Sequence, residues 1–135
     1  MTNVYLIKSI DRNRTYIGVS IDVLHRLDQH NGKIAGGAKA TRGHKWEIVC
    51  IVCGFPTRKS ALQLEWRLHR RGSRHKDRKL ARIKDLSKAL YMDQWTKTAI
   101  PTINLYNDLY IIWNRDSDAS LVKMPEEIHH FQLGV

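Results

Sequence analysis

Asn3-Val4-Tyr5-Leu6-Ile7, followed after a polar stretch (residues 8–14) by Thr15-Tyr16-Ile17-Gly18-Val19, decides how this chain folds. Both runs are rich in β-branched and aromatic residues, and the segment between them has turn composition, so the pair predicts an antiparallel hairpin. Working outward, Ser20 is the expected N-cap of a helix whose apolar stripe is Val23, Leu24 and Leu27, with Gly32 at its end. Residues 32–43 are glycine-rich and polar and read as a flexible loop, and residues 46–53 form an apolar run of strand length. Pro56-Thr57 opens a second helix carrying Ala61, Leu62, Leu64, Trp66 and Leu68, interrupted at Gly72. Leu80, Ile83, Leu86 and Leu90 place a third helix over residues 76–91.

After Ile100-Pro101, residues 103–113 are expected to supply one or two strands around Asn107-Asp108, and the acidic segment from Ser117 is expected to be inert surface. The resulting order, β-β-α-β-α-α plus a C-terminal strand extension, is an α/β arrangement of the α+β sandwich type. Its small, mostly antiparallel three-stranded sheet would be flanked by helices.

A length of 135 residues suits a single domain with its own core. Residues 1–92 would form its main body, and residues 93–135 an extension packed on the same domain. No apolar run reaches bilayer-spanning length, and the start lacks the basic-then-apolar layout of a signal peptide. An intracellular protein, nuclear or cytoplasmic, is therefore expected. Cys50 and Cys53 have no second ligand pair at zinc-finger spacing, and their odd offset on a strand sends the thiols to opposite faces, so they read as small core residues.

The net charge of +10 is concentrated. Residues 58–84 hold eleven Lys/Arg against Glu65 and Asp77, a net of +9, while residues 105–135 carry −3. Such a field concentrates polyanions. Without an apolar face for membrane insertion, it points to nucleic acid and away from a membrane. The expected contacts are Lys39, Arg42, Arg67, Arg70, Arg71, Arg74, Lys76, Arg78, Lys79 and Arg82.

Several residues have the chemistry for phosphodiester cleavage. Glu65 has Ala61, Leu62, Leu68 and His69 as its helical neighbours, three of the four apolar, and a carboxylate on such a face needs compensation. A divalent cation or a nearby arginine would each supply it. Arg26 and His30 lie one turn apart; they suit phosphate binding and proton transfer, while taken alone the spacing favours a solvated stripe with Asp22. Tyr5 and Tyr16 are either core aromatics or phenols available to a substrate, and Gly18 would admit a close backbone approach or a bulge.

The order of these residues resembles the GIY-YIG nuclease superfamily: Asn3-Val4-Tyr5, Tyr16-Ile17-Gly18, Arg26 with His30, then Glu65. Tyr16-Ile17-Gly18-Val19-Ser20, residues 26–31, Gly36-Gly37-Ala38 with Thr41, Trp46-Glu47, Gly54-Phe55-Pro56 and Glu65-Trp66 are similar to one branch, the catalytic subunit of the structure-specific endonuclease that cuts branched DNA. The resemblance implies a Mg²⁺- or Mn²⁺-dependent endonuclease acting on branched or flapped DNA. In it Glu65 holds the metal, Tyr5 is the base for water, Tyr16 and Arg26 bind the phosphate, and His30 assists Tyr5. The first motif has Asn3-Val4 where the family has Gly-Ile. Two cysteines do not build the RING-type zinc domain that docks the branch's scaffold subunit, so a monomer or homodimer without that scaffold is expected, which would suit a virus, phage or mobile element. A sequence-specific restriction- or homing-type cutter and a non-catalytic nucleic-acid-binding module are the alternatives. The first would cut linear duplex at one site, and the second would be free to lose the Tyr5/Tyr16/Arg26/His30/Glu65 set.

Overall fold

The computed structural model describes residues 1–70 and 72–134. Arg71, among the expected DNA contacts, lies outside the described residues. Five strands form one sheet in the order β2-β1-β3-β4-β5: β1 (Asn3–Ser9), β2 (Thr15–Ser20), β3 (Trp46–Cys53), β4 (Tyr110–Trp113) and β5 (His129–Gln132). The first three are the hairpin and the apolar run expected from sequence. The sheet is nevertheless wider than the three strands expected, because β4 pairs antiparallel with β3 and β5 adds in parallel to β4. Residues 102–105 are a 3-10 turn, so the stretch around Asn107-Asp108 yields one short strand.

Helix α1 (Val23–His30) covers one face of the sheet. There Val23, partly joined by Leu27, packs on Tyr5, Ile7, Trp46, Ile48, Ile51 and Cys53. Helices α2 (Arg58–Leu68) and α3 (Arg78–Tyr91) cover the other face, where Leu64, Leu68, Ile83 and Leu86 meet Val4, Leu6, Ile17, Cys50 and Val52. Strand alternation thus sends Cys50 and Cys53 into opposite layers, as their offset requires.

Helix starts follow capping chemistry. Asp22, two residues after Ser20, accepts from the His25 amide and caps α1, while Ser20 ends β2. Thr57 and Ser60 form a capping box on α2, and Asp77 caps α3 by accepting from the Leu80 amide.

The acidic C-terminal segment is not inert surface. It contains the short helix α4 (Asp116–Ala119) and β5, and it buries Met124 and Ile128 in the core shared by Trp95 and Trp113. Asp118 is buried and takes the Lys79 ammonium at 2.9 Å, tying α4 to α3. A buried carboxylate is stable only with such a partner, and the pairing lies 39 residues apart in sequence, beyond any local pattern.

Candidate active site

The site begins with the β1–β2 register. Tyr5 faces Gly18 and Ile7 faces Tyr16, so both tyrosines project from the α1 side of the sheet as diagonal neighbours, with ring centroids 6.4 Å apart. Gly18 has its own reason to be glycine: an added Cβ would lie 2.7 Å from Tyr5 Cζ and closer still to the hydroxyl. The missing side chain makes room for the Tyr5 ring rather than for a bulge; the register irregularity lies between Leu6 and Ile7 in the β1–β3 pairing.

The C-terminal end of α1 delivers His30 onto this pair. His30 is 3% exposed, with its ring 4.9 Å from Tyr16 and its Nε2 2.7 Å from the Tyr5 hydroxyl. Its Nδ1 lies 2.8 Å from Thr41 Oγ1, and Thr41 donates its single hydroxyl proton to the Ala38 carbonyl at 2.9 Å. Thr41 therefore accepts from His30, which places the imidazole proton on Nδ1 and leaves Nε2 as the acceptor for the Tyr5 phenol. The relay runs Tyr5 O–H to Nε2, Nδ1–H to Thr41, Thr41 O–H to Ala38. Trp46 braces it, with Nε1 donating to the Thr41 carbonyl at 2.9 Å, and Asn31 ties the end of α1 to the start of β3.

Electrostatics agree with this assignment. Burial, helped by the Arg26 charge, pushes the His30 pKa down to about 4, so the ring is neutral at neutral pH and free to accept. Burial likewise pushes Tyr5 up to about 12; the Arg26 guanidinium pulls it down, and the charges of Tyr16 and Glu65 push it further up.

Arg26 is half-buried, and its Nη1 donates to Gln29 Oε1 at 2.8 Å and to the Gly36 carbonyl at 2.7 Å. With both Nη1 protons engaged, Nε–H and the two Nη2 protons remain for a ligand. The Gly36-Gly37 pair lets the loop lie on α1: a Cβ on Gly37 would meet the Gln29 carbonyl at 2.5 Å. The solvated Asp22–Arg26–His30 stripe does not form, since Asp22 is used as a cap and His30 is buried.

Glu65 lies on α2, which packs against β1 and the edge strand β2, and its charge is felt at the Tyr5 phenol. The carboxylate is a quarter exposed, and its partner among the described residues is the His69 imidazole at 3.8 Å, not an arginine. No cluster of three or more His, Cys, Asp or Glu exists among the described residues. One partly exposed carboxylate without a Lys or Arg partner among the described residues is the donor set of a Mg²⁺-type ion that takes its other ligands from water and phosphate, so Glu65 fits such a metal.

The structure brings Tyr5, Tyr16 and His30 together with Arg26 beside them. Glu65 stands on α2, which covers the opposite face from α1, and is linked to this group by its charge at the Tyr5 phenol. The expected basic contacts divide. Lys39, Arg42, Arg70, Arg74 and Lys76 are exposed. Arg67 donates twice to the Trp95 carbonyl, Arg78 donates to Ser73 and His75 carbonyls, Lys79 holds Asp118, and Arg82 bonds Thr15 and the Leu68 carbonyl and pairs with Asp85. The sequence alone does not single out Gln29 or Thr41 as partners of Arg26 and His30; the signal is their place in the matching stretches, Gln29 in residues 26–31 and Thr41 in the loop. Sequence reasoning also missed Lys33 and Lys45, which line the open concavity beside His30 and Thr41.

Residues 1–81 match the GIY-YIG catalytic domain. The chain belongs to the GIY-YIG family. Its relatives include the structure-specific endonuclease subunit SLX1 homolog of Leishmania major, 48% identical over 68 residues, which are 47% of this chain and 10% of the relative. The structure-specific endonuclease subunit SLX1 of Phaeosphaeria nodorum is 44% identical over 90 residues, 62% of this chain and 25% of that protein. The slx1 subunit of Schizosaccharomyces pombe is 51% identical over 69 residues, 46% and 24% of the two chains. This GIY-YIG chain spans a tenth to a quarter of the length of these curated relatives. No helix among the described residues is long and apolar enough to cross a membrane.

Proposed function

We propose that this protein is a Mg²⁺- or Mn²⁺-dependent endonuclease that hydrolyses phosphodiester bonds in branched or flapped DNA. The observation that carries the reading is the oriented relay from Tyr5 through His30 to Thr41, with Arg26 and Tyr16 beside it and the Glu65 charge reaching the Tyr5 phenol. Likeness to structure-specific endonuclease subunits supports the branched substrate.

Arg26 receives the scissile phosphate with its three unengaged N–H groups, and the Tyr16 hydroxyl adds a further donor. The Tyr5 phenol takes a proton from the attacking water as its own passes to His30 Nε2, so the net movement is one proton from water to imidazole. His30 accepts it because the ring is neutral with Nε2 unprotonated. A divalent ion held by Glu65 would polarise the phosphate and stabilise the leaving oxygen, and its charge would offset the carboxylate that disfavours the Tyr5 phenolate. Lys39, Arg42, Arg74 and Lys76 hold the duplex arms through counterion release.

The test is cleavage of labelled flap, fork and four-way-junction DNA, compared with linear duplex, in Mg²⁺ and in Mn²⁺. Glu65→Gln is expected to abolish cleavage, by a factor of about 10³ or more on the scale of lost charge stabilisation, while DNA affinity in EDTA is retained. Equal cleavage by the variant and wild type would make Glu65 structural; absence of cleavage by folded wild type in either ion would overturn the reading.

A further inference from the structure

One turn of chemistry away from Glu65, α2 shows a second surface that the cleavage site does not use. Trp66 is 44% exposed, an uncommon state for the side chain with the largest apolar area. Leu62, a turn earlier, is also exposed, and the two line a shallow groove closed on its other side by Thr96, Lys97 and Thr98.

The groove is built in advance. Gln63 Nε2 bonds the hydroxyls of Thr96 at 3.2 Å and Thr98 at 3.3 Å, and Arg67 clamps the Trp95 carbonyl with Nε at 2.9 Å and Nη2 at 2.6 Å. These bonds fix the 95–98 segment against α2, so the wall does not depend on a ligand to form.

Its charge is of one sign. Lys59 and Lys97 line the groove, the Arg70 guanidinium stacks on the Trp66 ring at 3.9 Å, and Arg67 lies 5.0 Å from the same ring. No acidic residue lines it among the described residues. An apolar aromatic floor ringed by cations matches an unpaired nucleotide, whose base offers a π-face and whose phosphate offers a negative charge. An acidic or apolar protein segment would use the cations or the tryptophan, but not both in alternation along a strand.

We propose that Trp66 and Leu62 form a stacking platform for an unpaired base of single-stranded DNA leaving the branch point, with Lys59, Lys97 and Arg70 on its phosphates. The proposal rests on the branched-DNA reading and deepens it. Consecutive helical residues point about 100° apart, so Glu65 faces the cleavage site while Trp66 presents this groove on the adjoining face. A strand passing the cut site therefore meets the platform within a short run of nucleotides.

The experiment measures affinity in EDTA, by fluorescence anisotropy, for a flap DNA with normal bases and for the same DNA made abasic at the flap nucleotides nearest the junction. Wild type, Trp66→Ala and Trp66→Phe are compared, with blunt duplex as the control. Wild type should bind the abasic flap about tenfold more weakly than the intact one, the size of one lost stacking contact. Trp66→Ala should bind the intact flap that weakly already and lose nothing more on the abasic DNA. Trp66→Phe should keep most of the discrimination, and blunt-duplex affinity should not change.

Wild type alone must tell the two flaps apart, so a poorly folding variant does not protect the idea. Equal wild-type affinity for both flaps overturns it. So does Trp66→Ala with unchanged affinity for the intact flap, which is the result a protein-docking face would give. Cleavage of the same flap in Mg²⁺ separates the two readings: cutting without base discrimination removes the platform alone, and base discrimination without cutting removes the nuclease and leaves the platform.

Discussion

Thr41 has one hydroxyl proton and gives it to the Ala38 carbonyl, and that single commitment sets the tautomer of His30 and hence which way the Tyr5 proton can travel. Thr41→Val keeps the shape but removes the acceptor, leaving a buried imidazole N–H unpaired or turning the ring to the other tautomer. In the latter case Nε2 carries a proton and no longer accepts from Tyr5. The expected outcome is a 10- to 100-fold fall in kcat on flap DNA with KM nearly unchanged, and recovery in Thr41→Ser. Steady-state kinetics on the three proteins check it; a Thr41→Val enzyme as active as wild type would mean that the tautomer is set elsewhere. Tyr5, Tyr16, Arg26, His30 and Glu65, the residues proposed for the chemistry, each stand in an ordered motif of the sequence. The roles of Thr41 and Gln29 were not legible there, since they come from hydrogen bonds made only after the 32–43 loop has folded back on α1.

At the scale of elements, legibility followed locality. β1, β2 and β3 announce themselves by composition, and α3 by its spacing of three and four, because burial on one face leaves a periodic trace. The segment after Ser117 leaves no such trace: β5 is exposed along its whole length and α4 is one turn long. What holds this segment is long-range, chiefly Lys79–Asp118 and the burial of Met124 and Ile128. Lys79 looked like a DNA contact for the same reason, since a lysine in a basic run shows no sign of its distant carboxylate. Asp118→Ala should therefore destabilise the whole fold, not merely free the C-terminus. Breaking a buried pair costs about 3–5 kcal/mol; with the Lys79 side chain 21% exposed, water recovers part of this, and about 2 kcal/mol is expected. Urea unfolding measures it, and Lys79→Met/Asp118→Leu should restore most of the loss, because an apolar pair needs no compensation. An unchanged unfolding midpoint in Asp118→Ala would show that α4 contributes little to the fold.

For the whole molecule, the relay that makes the site also makes folding sensitive to acid. His30 has its pKa pushed down to about 4 from an ordinary 6.5, and burial lowers that of His130 too, whose Nδ1 accepts from Trp113 Nε1 at 2.9 Å. Below pH 6.5 the unfolded chain takes up these protons while the folded chain refuses them, so the unfolded state binds more protons and stability rises with pH across this window. Full stability is present above the unfolded value and is lost as pH falls toward about 4, where the folded ring also charges. The His30 contribution is on the order of 2–3 kcal/mol. Seven histidines on a chain already at +10 add general repulsion in acid, so the site-specific part needs its own control. Urea unfolding at steps between pH 7 and pH 4 should show a steady decline in wild type. His30→Gln, which can keep both hydrogen bonds without titrating, should flatten that decline more than His130→Gln does, His30 having the larger displacement. A wild-type stability that stays level over the window, or a decline that His30→Gln leaves intact, would mean that the folded ring takes up its proton as readily as the unfolded one. Burial would then not be what keeps Nε2 unprotonated for Tyr5, and the neutral ring would hold only above its ordinary titration range, so the acid titration tests the electrostatic setting of the relay independently of kinetics.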